Sequence, residues 1–233
     1  MKAFDGEWYF LQIRGWVQRD AGKLDDAIKT YKEVIATIEG SENMKKDVRE
    51  RYARNTKYLL SGIYLDNNQF DESVKILEEL VKADPENPSY YNDLGFLLAD
   101  HDKRLPEAET MIRKAVELDL AAKKKAYEKK LIDEDQSKKI TPAYVDSLGW
   151  VLFKNKKYEE AMKYLLEAAK DEEEGGHIEI WDHVGDCYLA LGKKKEALAT
   201  FQKALKMEDV TKKDNERRKK VTEKVKKLKA DVK

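Results

Sequence analysis

A spaced set of small residues recurs along the chain and constrains its fold more than any other feature. In each copy a glycine or serine is followed 12 or 13 positions later by alanine or serine, then by further residues at steps of four and three. A glycine inside a helix costs about 1 kcal/mol relative to alanine, so its recurrence indicates that a neighbouring helix approaches closely there. The steps of four and three place the later residues on one helical face. The five copies are Gly15–Ala27–Tyr31–Val34, Ser61–Ser73–Leu77–Leu80, Gly95–Ala108–Ile112–Ala115, Gly149–Ala161–Leu165–Ala168 and Gly185–Ala197–Phe201–Ala204.

Each copy is predicted to be a pair of antiparallel helices joined by a tight turn. One pair cannot bury its apolar face alone, whereas stacked pairs can, so five copies indicate a repeat array. The 233 residues include only four prolines, and all four stand where helices are expected to begin or end. Asn87-Pro88 and Thr141-Pro142, for example, have the form of an N-cap followed by a proline in the first turn. The sequence therefore predicts an all-α chain.

The pattern of small and apolar positions resembles the tetratricopeptide repeat family over roughly residues 8–209. The resemblance implies a right-handed superhelical solenoid of about five antiparallel helix pairs plus a C-terminal capping helix. It also implies a concave groove, lined by the first helix of each pair, that holds a peptide or protein segment. The fifth copy carries the family's residue types most completely, at Trp181, Val184, Gly185, Tyr188, Gly192, Ala197, Phe201 and Ala204.

We expect a single solenoid over residues 1–233, with irregular spacing between some units. The inserted segment 121–140 is expected to prolong the second helix of the third unit and to return through a loop. Gly175-Gly176 is expected to form a flexible joint before the last unit. The approximate units are 8–41, 54–87, 88–122, 142–175 and 178–211.

The C-terminal basic helix, residues 211–233, contains eleven basic and four acidic residues. Its apolar residues recur at steps of four, three and four, which makes a narrow stripe on one face of a charged helix. This arrangement is typical of the solvated helix that closes a repeat array. Contact with an anion or with nucleic acid is the alternative. The stripe consists of Val221, Val225, Leu228 and Val232.

The composition excludes several classes of protein. Lys plus Arg and Asp plus Glu both number 46, so the net charge is zero and a general nucleic-acid binder is disfavoured. The single cysteine, Cys187, excludes an internal disulfide and any site with several cysteine ligands. No apolar run approaches the ~20 residues that span a bilayer, so membrane insertion is not expected. With no leader visible we expect a cytoplasmic protein, or a periplasmic one if the chain is a piece excised from a longer protein.

Motifs for catalysis are missing from the sequence. It contains no glycine-rich phosphate loop, no G-x-S-x-G elbow, no H-E-x-x-H and no C-x-x-C. His183 and Cys187 stand four apart on one helix and could share a metal ion, but two residues at this spacing are common by accident. An ordinary helix position and a buried small thiol are favoured instead. We therefore expect no enzyme activity, no cofactor, no metal and no small-molecule substrate.

The predicted groove is aromatic in the first four units and acidic towards the end. Aromatic side chains would hold apolar groups of a ligand, asparagines would bond a peptide backbone, and aspartates would favour a basic ligand. The alternative for any single aromatic residue is packing against a neighbouring helix or a tail segment. The candidate groove residues are Trp16, Asn55, Tyr58, Asn92, Phe96, Asp146, Trp150, Phe153, Asp182 and Asp186.

These observations predict a non-enzymatic adaptor that binds a protein or peptide of unknown identity in its concave groove. Co-chaperones of this family grip a C-terminal carboxylate with Lys, Asn and Arg, but here Gln12, Trp16, Asn92, Ala143 and Asp146 stand at those positions. A carboxylate-terminated partner is therefore disfavoured. The alternative is a structural module that self-associates as a homo-oligomer through its array ends or its inserted segment, and an exposed apolar end face would support it.

Overall fold

The computed structural model describes residues 7–171, 176–208 and 211–231. These residues form helices and turns with no strand among them, which confirms the prediction of an all-α chain. Gly175 of the predicted joint and Val232 of the apolar stripe lie outside the described residues. The helices are α1 (Glu7–Asp20), α2 (Leu24–Glu39), α3 (Lys46–Asp66), α4 (Phe70–Ala83), α5 (Pro88–Asp100), α6 (Leu105–Glu128), α7 (Glu134–Lys138), α8 (Pro142–Lys154), α9 (Tyr158–Ala168), α10 (Ile178–Ala190), α11 (Lys194–Ala204) and α12 (Lys212–Asp231).

The first of two compact units, Met1–Glu86, contains α1 to α4. Successive helices of this unit pack against one another, α1 on α2, α2 on α3 and α3 on α4. Tyr31 and Tyr64 are almost fully buried in its core together with Ile63. A second apolar cluster joins Val34 and Ile38 to the N-terminal part of α1 and α3 through Trp8 and Tyr52. This packing fixes the positions of α1 and α3 relative to each other.

The second compact unit, Asn87–Lys233, contains α5 to α12. Helices α5 and α6, α8 and α9, and α10 and α11 form pairs, and α12 packs on α11 and α10. Val221, Val225 and Leu228 of α12 are buried in one cluster with Phe201 and Ile178. The apolar stripe of the basic tail thus packs on the last helix pair, as expected of a capping helix. No described helix in either unit is long and apolar enough to cross a membrane.

The recurring glycines are required by close packing within each helix pair. A Cβ added at Gly149 would lie 2.7 Å from Leu165 side-chain atoms, and one added at Gly95 would lie 2.7 Å from Ile112. Such distances lie far inside van der Waals contact. The residue that covers each glycine is mainly the large apolar one that follows it by 16 or 17 positions. At Gly95 the small residue 13 positions later also contributes, because the Ala108 carbonyl oxygen would lie 2.8 Å from an added Cβ.

Pro88, Pro106 and Pro142 lie in the first turns of helices and Pro85 follows the end of α4, as predicted, but one of the two N-caps differs in detail. The Asn87 side chain accepts a hydrogen bond from the Ser89 N–H and caps α5. Thr141 also precedes its helix but makes no side-chain cap. Its N–H and hydroxyl both donate to the Asp119 carboxylate on α6, at 2.9 Å each. Asp119 therefore holds the start of α8 after the inserted segment.

Candidate functional site

A cleft of about 670 Å³ opens between α1 and α3 in the first unit. Both helices are the first members of their pairs, which is where a groove was predicted. Of the predicted site residues, Asn55 and Tyr58 lie in the lining. The full lining consists of Trp8, Tyr9, Gln12, Tyr52, Asn55, Thr56, Tyr58 and Leu59.

The lining combines aromatic rings with amide groups and contains no Asp, Glu, Lys, Arg or His. The Trp8 and Tyr52 rings lie 5.0 Å apart at 45°, and Tyr9 meets Trp8 edge-on at 6.1 Å. Gln12 and Asn55 each contribute an amide, which can both donate and accept hydrogen bonds. The cleft therefore matches a ligand that has apolar side chains and an exposed backbone and carries no charge.

Charged residues near α1 and α3 already bind one another. Arg19 binds Asp66 with a 2.6 Å contact, and Lys57 binds Glu39 at 2.8 Å. A charged ligand would have to compete with them for a partner.

Trp16, a third predicted residue of this unit, is not part of the cleft lining. Its side chain is 61% exposed on α1. The structure thus brings Asn55 and Tyr58 together and leaves Trp16 on an open helix surface. The lining residues Trp8, Tyr52 and Leu59 were not predicted. Tyr52, Asn55 and Leu59 follow one another at steps of three and four, a helical-face signal that could have identified them.

In the second unit the predicted aromatic residues pack on one another. The Trp150 ring stacks on Phe153 at 5.0 Å and 11°, and on His183 at 4.0 Å and 15°. Phe96 lies 6.3 Å from the same histidine ring. Only 7% of Trp150 is exposed. Phe96, Trp150 and Phe153, which were predicted to line the groove, thus make ring contacts within the chain.

His183 is fully buried and links three helices of the second unit. Its Nδ1 lies 3.1 Å from both carboxylate oxygens of Asp146, and its Nε2 lies 3.4 Å from the Arg217 guanidinium. Burial by itself lowers the pKa of His183, but the Asp146 and Glu179 carboxylates outweigh burial and the opposing Arg217 charge, so the pKa is raised. Asp146, a predicted groove residue, is thus bound inside the chain.

The acidic residues predicted to select a basic ligand face the chain's own C-terminal helix. The Asp182 carboxylate accepts hydrogen bonds from Arg217 at 3.2 Å and from Lys224 at 2.6 Å. Lys224 also donates to Asp186 at 2.7 Å. Burial raises the pKa of Asp186, although the Lys224 charge opposes this shift. Helix α12 therefore supplies the cations that these carboxylates would otherwise take from a ligand.

Asn92 is the remaining predicted residue, and it is buried on α5. Its Nδ2 donates to the Asp93 carboxylate at 3.1 Å, while its Oδ1 has no hydrogen-bond partner among the described residues. The Trp150 Nε1 likewise lacks a partner among the described residues. Both atoms are closed off from the surface, so a ligand reaches them only if side chains move.

The Cys187 thiol does not have the setting of a catalytic nucleophile. The Cys187 thiol is buried and donates to the Tyr158 carbonyl at 3.3 Å. Burial raises its pKa to about 11, so the reactive thiolate is scarce at neutral pH. Across residues 7–171, 176–208 and 211–231, no group of three or more His, Cys, Asp or Glu side chains is arranged to hold a metal ion.

Two family models match different parts of the chain. Residues 18–95 match a tetratricopeptide repeat model, and residues 148–229 match the model described as regulator of microtubule dynamics protein 1-3. The first match includes α3, which forms one wall of the cleft. The second runs from the middle of α8 into α12, and it includes His183 and Arg217 but not Asp146.

Curated and solved proteins resemble the chain over most of its described length. A TPR repeat-containing protein of Pseudomonas aeruginosa is 28% identical over 146 residues, which are 61% of this chain; the chain spans about a fifth (20%) of that relative. A Thermus thermophilus TPR protein is 16% identical with a TM-score of 0.62, over 92% of this chain and 98% of that one. The MamA protein is 19% identical with a TM-score of 0.55, over 88% and 93%. At these identities the solved structures establish the helix-pair solenoid fold, which confirms the predicted fold class.

Proposed function

Because the chain belongs to the tetratricopeptide repeat family, whose members are scaffolds for protein–protein interaction, we propose that the cleft between α1 and α3 is its partner-binding site. The ligand is an extended, uncharged segment of another protein.

The observation that carries this proposal is the uncharged, aromatic lining of an open cleft. Tyr9 is 56% exposed and Leu59 38% exposed at its border. Large apolar side chains in a concave setting favour a partner, since burying them stabilises a complex by about 25 cal/mol for each Å² removed from water. Tyrosine and tryptophan are also the residues that most often dominate binding energy at interfaces.

The lining also defines the ligand class. Aromatic rings suit aliphatic or proline side chains, and an extended segment leaves backbone N–H and C=O groups free to bond side-chain amides. Gln12 and Asn55 stand on opposite walls of the cleft, on α1 and α3, and can bond a backbone that lies between them. A strongly basic or acidic segment would find no counter-ion in this lining.

The predicted groove residues of the second unit are not part of the proposed site. Asp146, Asp182 and Asp186 bind His183, Arg217 and Lys224 within the chain. A basic ligand would have to displace these contacts, and separating a buried carboxylate from its cation costs about 3–5 kcal/mol. We therefore do not propose that the chain prefers a basic ligand.

Peptide selection followed by affinity measurement tests the proposal. A displayed library of random 12-residue peptides is selected on the purified chain, and enriched peptides are measured by fluorescence anisotropy. We expect enriched peptides to be low in charge and to bind with little dependence on salt. Tyr58→Ala should weaken binding at least tenfold, about 1.4 kcal/mol. Tyr127→Ala, which changes an exposed tyrosine on α6, is the matched control and should bind as the native chain does.

Circular dichroism of each variant first establishes that both are folded. Equal affinities of the Tyr58 and Tyr127 variants would contradict the proposed location of the site. Enrichment of highly charged peptides whose affinity falls steeply with salt would contradict the proposed ligand class.

Scaffolds of this family are in general non-enzymatic, and we propose that this chain is so as well. His183 and Cys187, its best candidates for chemistry, are both buried and bonded within the second unit. The cytoplasmic location expected from the sequence stays a prediction. Anion contact by the C-terminal helix also stays a prediction. Arg217 and Lys224 of that helix already bind carboxylates within the chain.

A further inference from the structure

Helix α1 presents a broad apolar surface to solvent. Five apolar side chains of this helix are between 45% and 63% exposed. At 3.6 residues per turn they fall within an arc of about 120° on the helix. The only charged residue between the first and the last of them is Arg14, which lies outside the arc. This surface, here called the α1 arc, consists of Tyr9, Phe10, Ile13, Trp16 and Val17.

The α1 arc is comparable in area to the largest apolar patch of a typical monomer. Three of its members are aromatic residues, each of which can bury 150–250 Å², so the exposed side chains together present roughly 500 Å². The largest apolar patch on a typical monomer is about 300–600 Å² and often functional. A patch of this size can serve as a contact for a partner surface of similar size and chemistry.

Among the described residues, no other surface of the chain matches the α1 arc. The remaining exposed large apolar residues are dispersed over α3, α10 and the end of α6: Leu59, Leu189, Tyr127 and Leu131. At the other end of the chain, α12 buries its apolar stripe and exposes lysines such as Lys219 and Lys227. If α12 of a second copy covered the arc, it would place these lysines against apolar side chains, which is unfavourable.

We infer that the partner of the α1 arc is the α1 arc of a second copy of this chain, in a symmetric dimer. The arc is balanced about Ile13, with Tyr9 and Phe10 one turn before it and Trp16 and Val17 one turn after it. Two antiparallel copies related by a twofold axis at Ile13 therefore place apolar surface against apolar surface along the whole contact. Two arcs of roughly 500 Å² bury at most about 1,000 Å², the lower limit of a specific interface, so we expect a weak dimer.

This inference does not rest on the proposed function. The two surfaces share Tyr9, but Ile13 is not part of the cleft lining, and Asn55 and Tyr58 are not part of the arc. Failure of the dimer would leave the cleft proposal intact, and the reverse also holds.

Analytical ultracentrifugation of the full chain between 1 and about 200 µM tests the inference. We expect the mass to rise from that of the 27.1 kDa chain towards twice that value. Ile13→Asp should raise the dimer dissociation constant at least ~30-fold, because symmetry buries the new carboxylate in both copies. Leu131→Asp is the matched control, since Leu131 is 73% exposed and outside the arc, and it should dimerise as the native chain does.

A disulfide test identifies the contact without adding a charge. Ile13→Cys places a thiol next to the twofold axis and should form a dimer-linking disulfide under mild oxidation, whereas Leu131→Cys should not. The native Cys187 is buried and does not compete. A native chain that stays monomeric at 200 µM would overturn the inference, and a dimer that persists unchanged in Ile13→Asp would do so as well.

Discussion

Replacement of Gly149 by alanine tests whether the repeated glycine is the feature that sets the fold. Gly149 lies in α8 and faces α9. An added Cβ would lie 2.7 Å from Cγ and Cδ2 of Leu165 and 3.0 Å from its backbone nitrogen. Carbon atoms in contact are normally 3.5–4.0 Å apart, so relief requires a movement of roughly 1 Å. Leu165 has no exposed surface into which its side chain could turn.

The expected magnitude follows from two opposing effects. Overpacking a filled core costs about 1–3 kcal/mol, and here the upper part of that range applies because a backbone atom is among the contacts. Alanine gains about 1 kcal/mol over glycine in a helix interior. We expect Gly149→Ala to lower the free energy of unfolding by about 2 kcal/mol, or the melting temperature by roughly 4–8 °C in a chain of this size.

Gly62 is the matched control because it is also inside a helix of the array, yet has room beside it. The atom nearest to an added Cβ is Nη2 of Arg19 at 3.7 Å, an ordinary contact. Only the helix-propensity gain remains, so Gly62→Ala should stabilise its helix by about 0.5–1 kcal/mol. Urea unfolding followed by circular dichroism, together with calorimetry, measures both variants.

Gly149→Ala should therefore lower the free energy of unfolding, and Gly62→Ala should raise it. If Gly149→Ala proved as stable as the native chain, α8 and α9 could separate at no cost. Close approach would then not be the reason for the glycine, and the packing argument for the whole repeat pattern would fail.

Three further predictions concern the second unit. The buried Cys187 thiol, whose pKa is raised to about 11, should not react with Ellman's reagent at pH 8 until urea unfolds the chain; rapid reaction in buffer would contradict its burial. Asp146 raises the folded-state pKa of His183. The His183–Asp146 pair therefore contributes its full share to the free energy of unfolding below about pH 6.5, and this contribution is lost as the pH rises through the folded-state pKa. The unfolding free-energy difference between the native chain and Asp146→Asn should therefore shrink between pH 6 and 9 in urea titrations, and a difference that grows would refute this. Leu228→Ala should destabilise the chain by about 2–3 kcal/mol, because this α12 side chain is buried against the last helix pair. Lys226→Ala should change stability by less than about 0.5 kcal/mol. Equal effects of the two changes in thermal melts would mean that α12 does not pack through its apolar stripe.

The fold was predictable because its determinants are local in the sequence. The interval between Gly185 and Phe201 fixes where two helices of one pair touch, and both residues lie within a stretch of 17 positions. The apolar stripe that includes Val221 and Leu228 likewise identifies the packed face of α12 without knowledge of its partner. Helical periodicity in the sequence directly indicates which face of a helix is packed.

The candidate site was only partly predictable because pairing between distant residues leaves no periodic signal. Asp182 was identified as an inward carboxylate, but the cations that bind it stand 35 and 42 positions later, at Arg217 and Lys224. His183 was interpreted as an ordinary helix position, yet it joins Asp146 and Trp150 of another helix. An acidic face on the last pair and a basic face on the following helix were both visible in the sequence. Complementarity between them could have been tested as a hypothesis.

The two proposed surfaces share one residue, and this has a thermodynamic consequence. Tyr9 lies both in the cleft lining and in the α1 arc. A dimer contact that fixes the Tyr9 ring changes the affinity of the cleft for its ligand, and by linkage the ligand then changes the dimer constant by the same factor. Ligand binding and self-association of this chain are therefore expected to depend on each other through one side chain. Peptide affinity measured above and below the dimer dissociation constant would differ in the native chain and be equal in the Ile13→Asp variant, which stays monomeric at both concentrations.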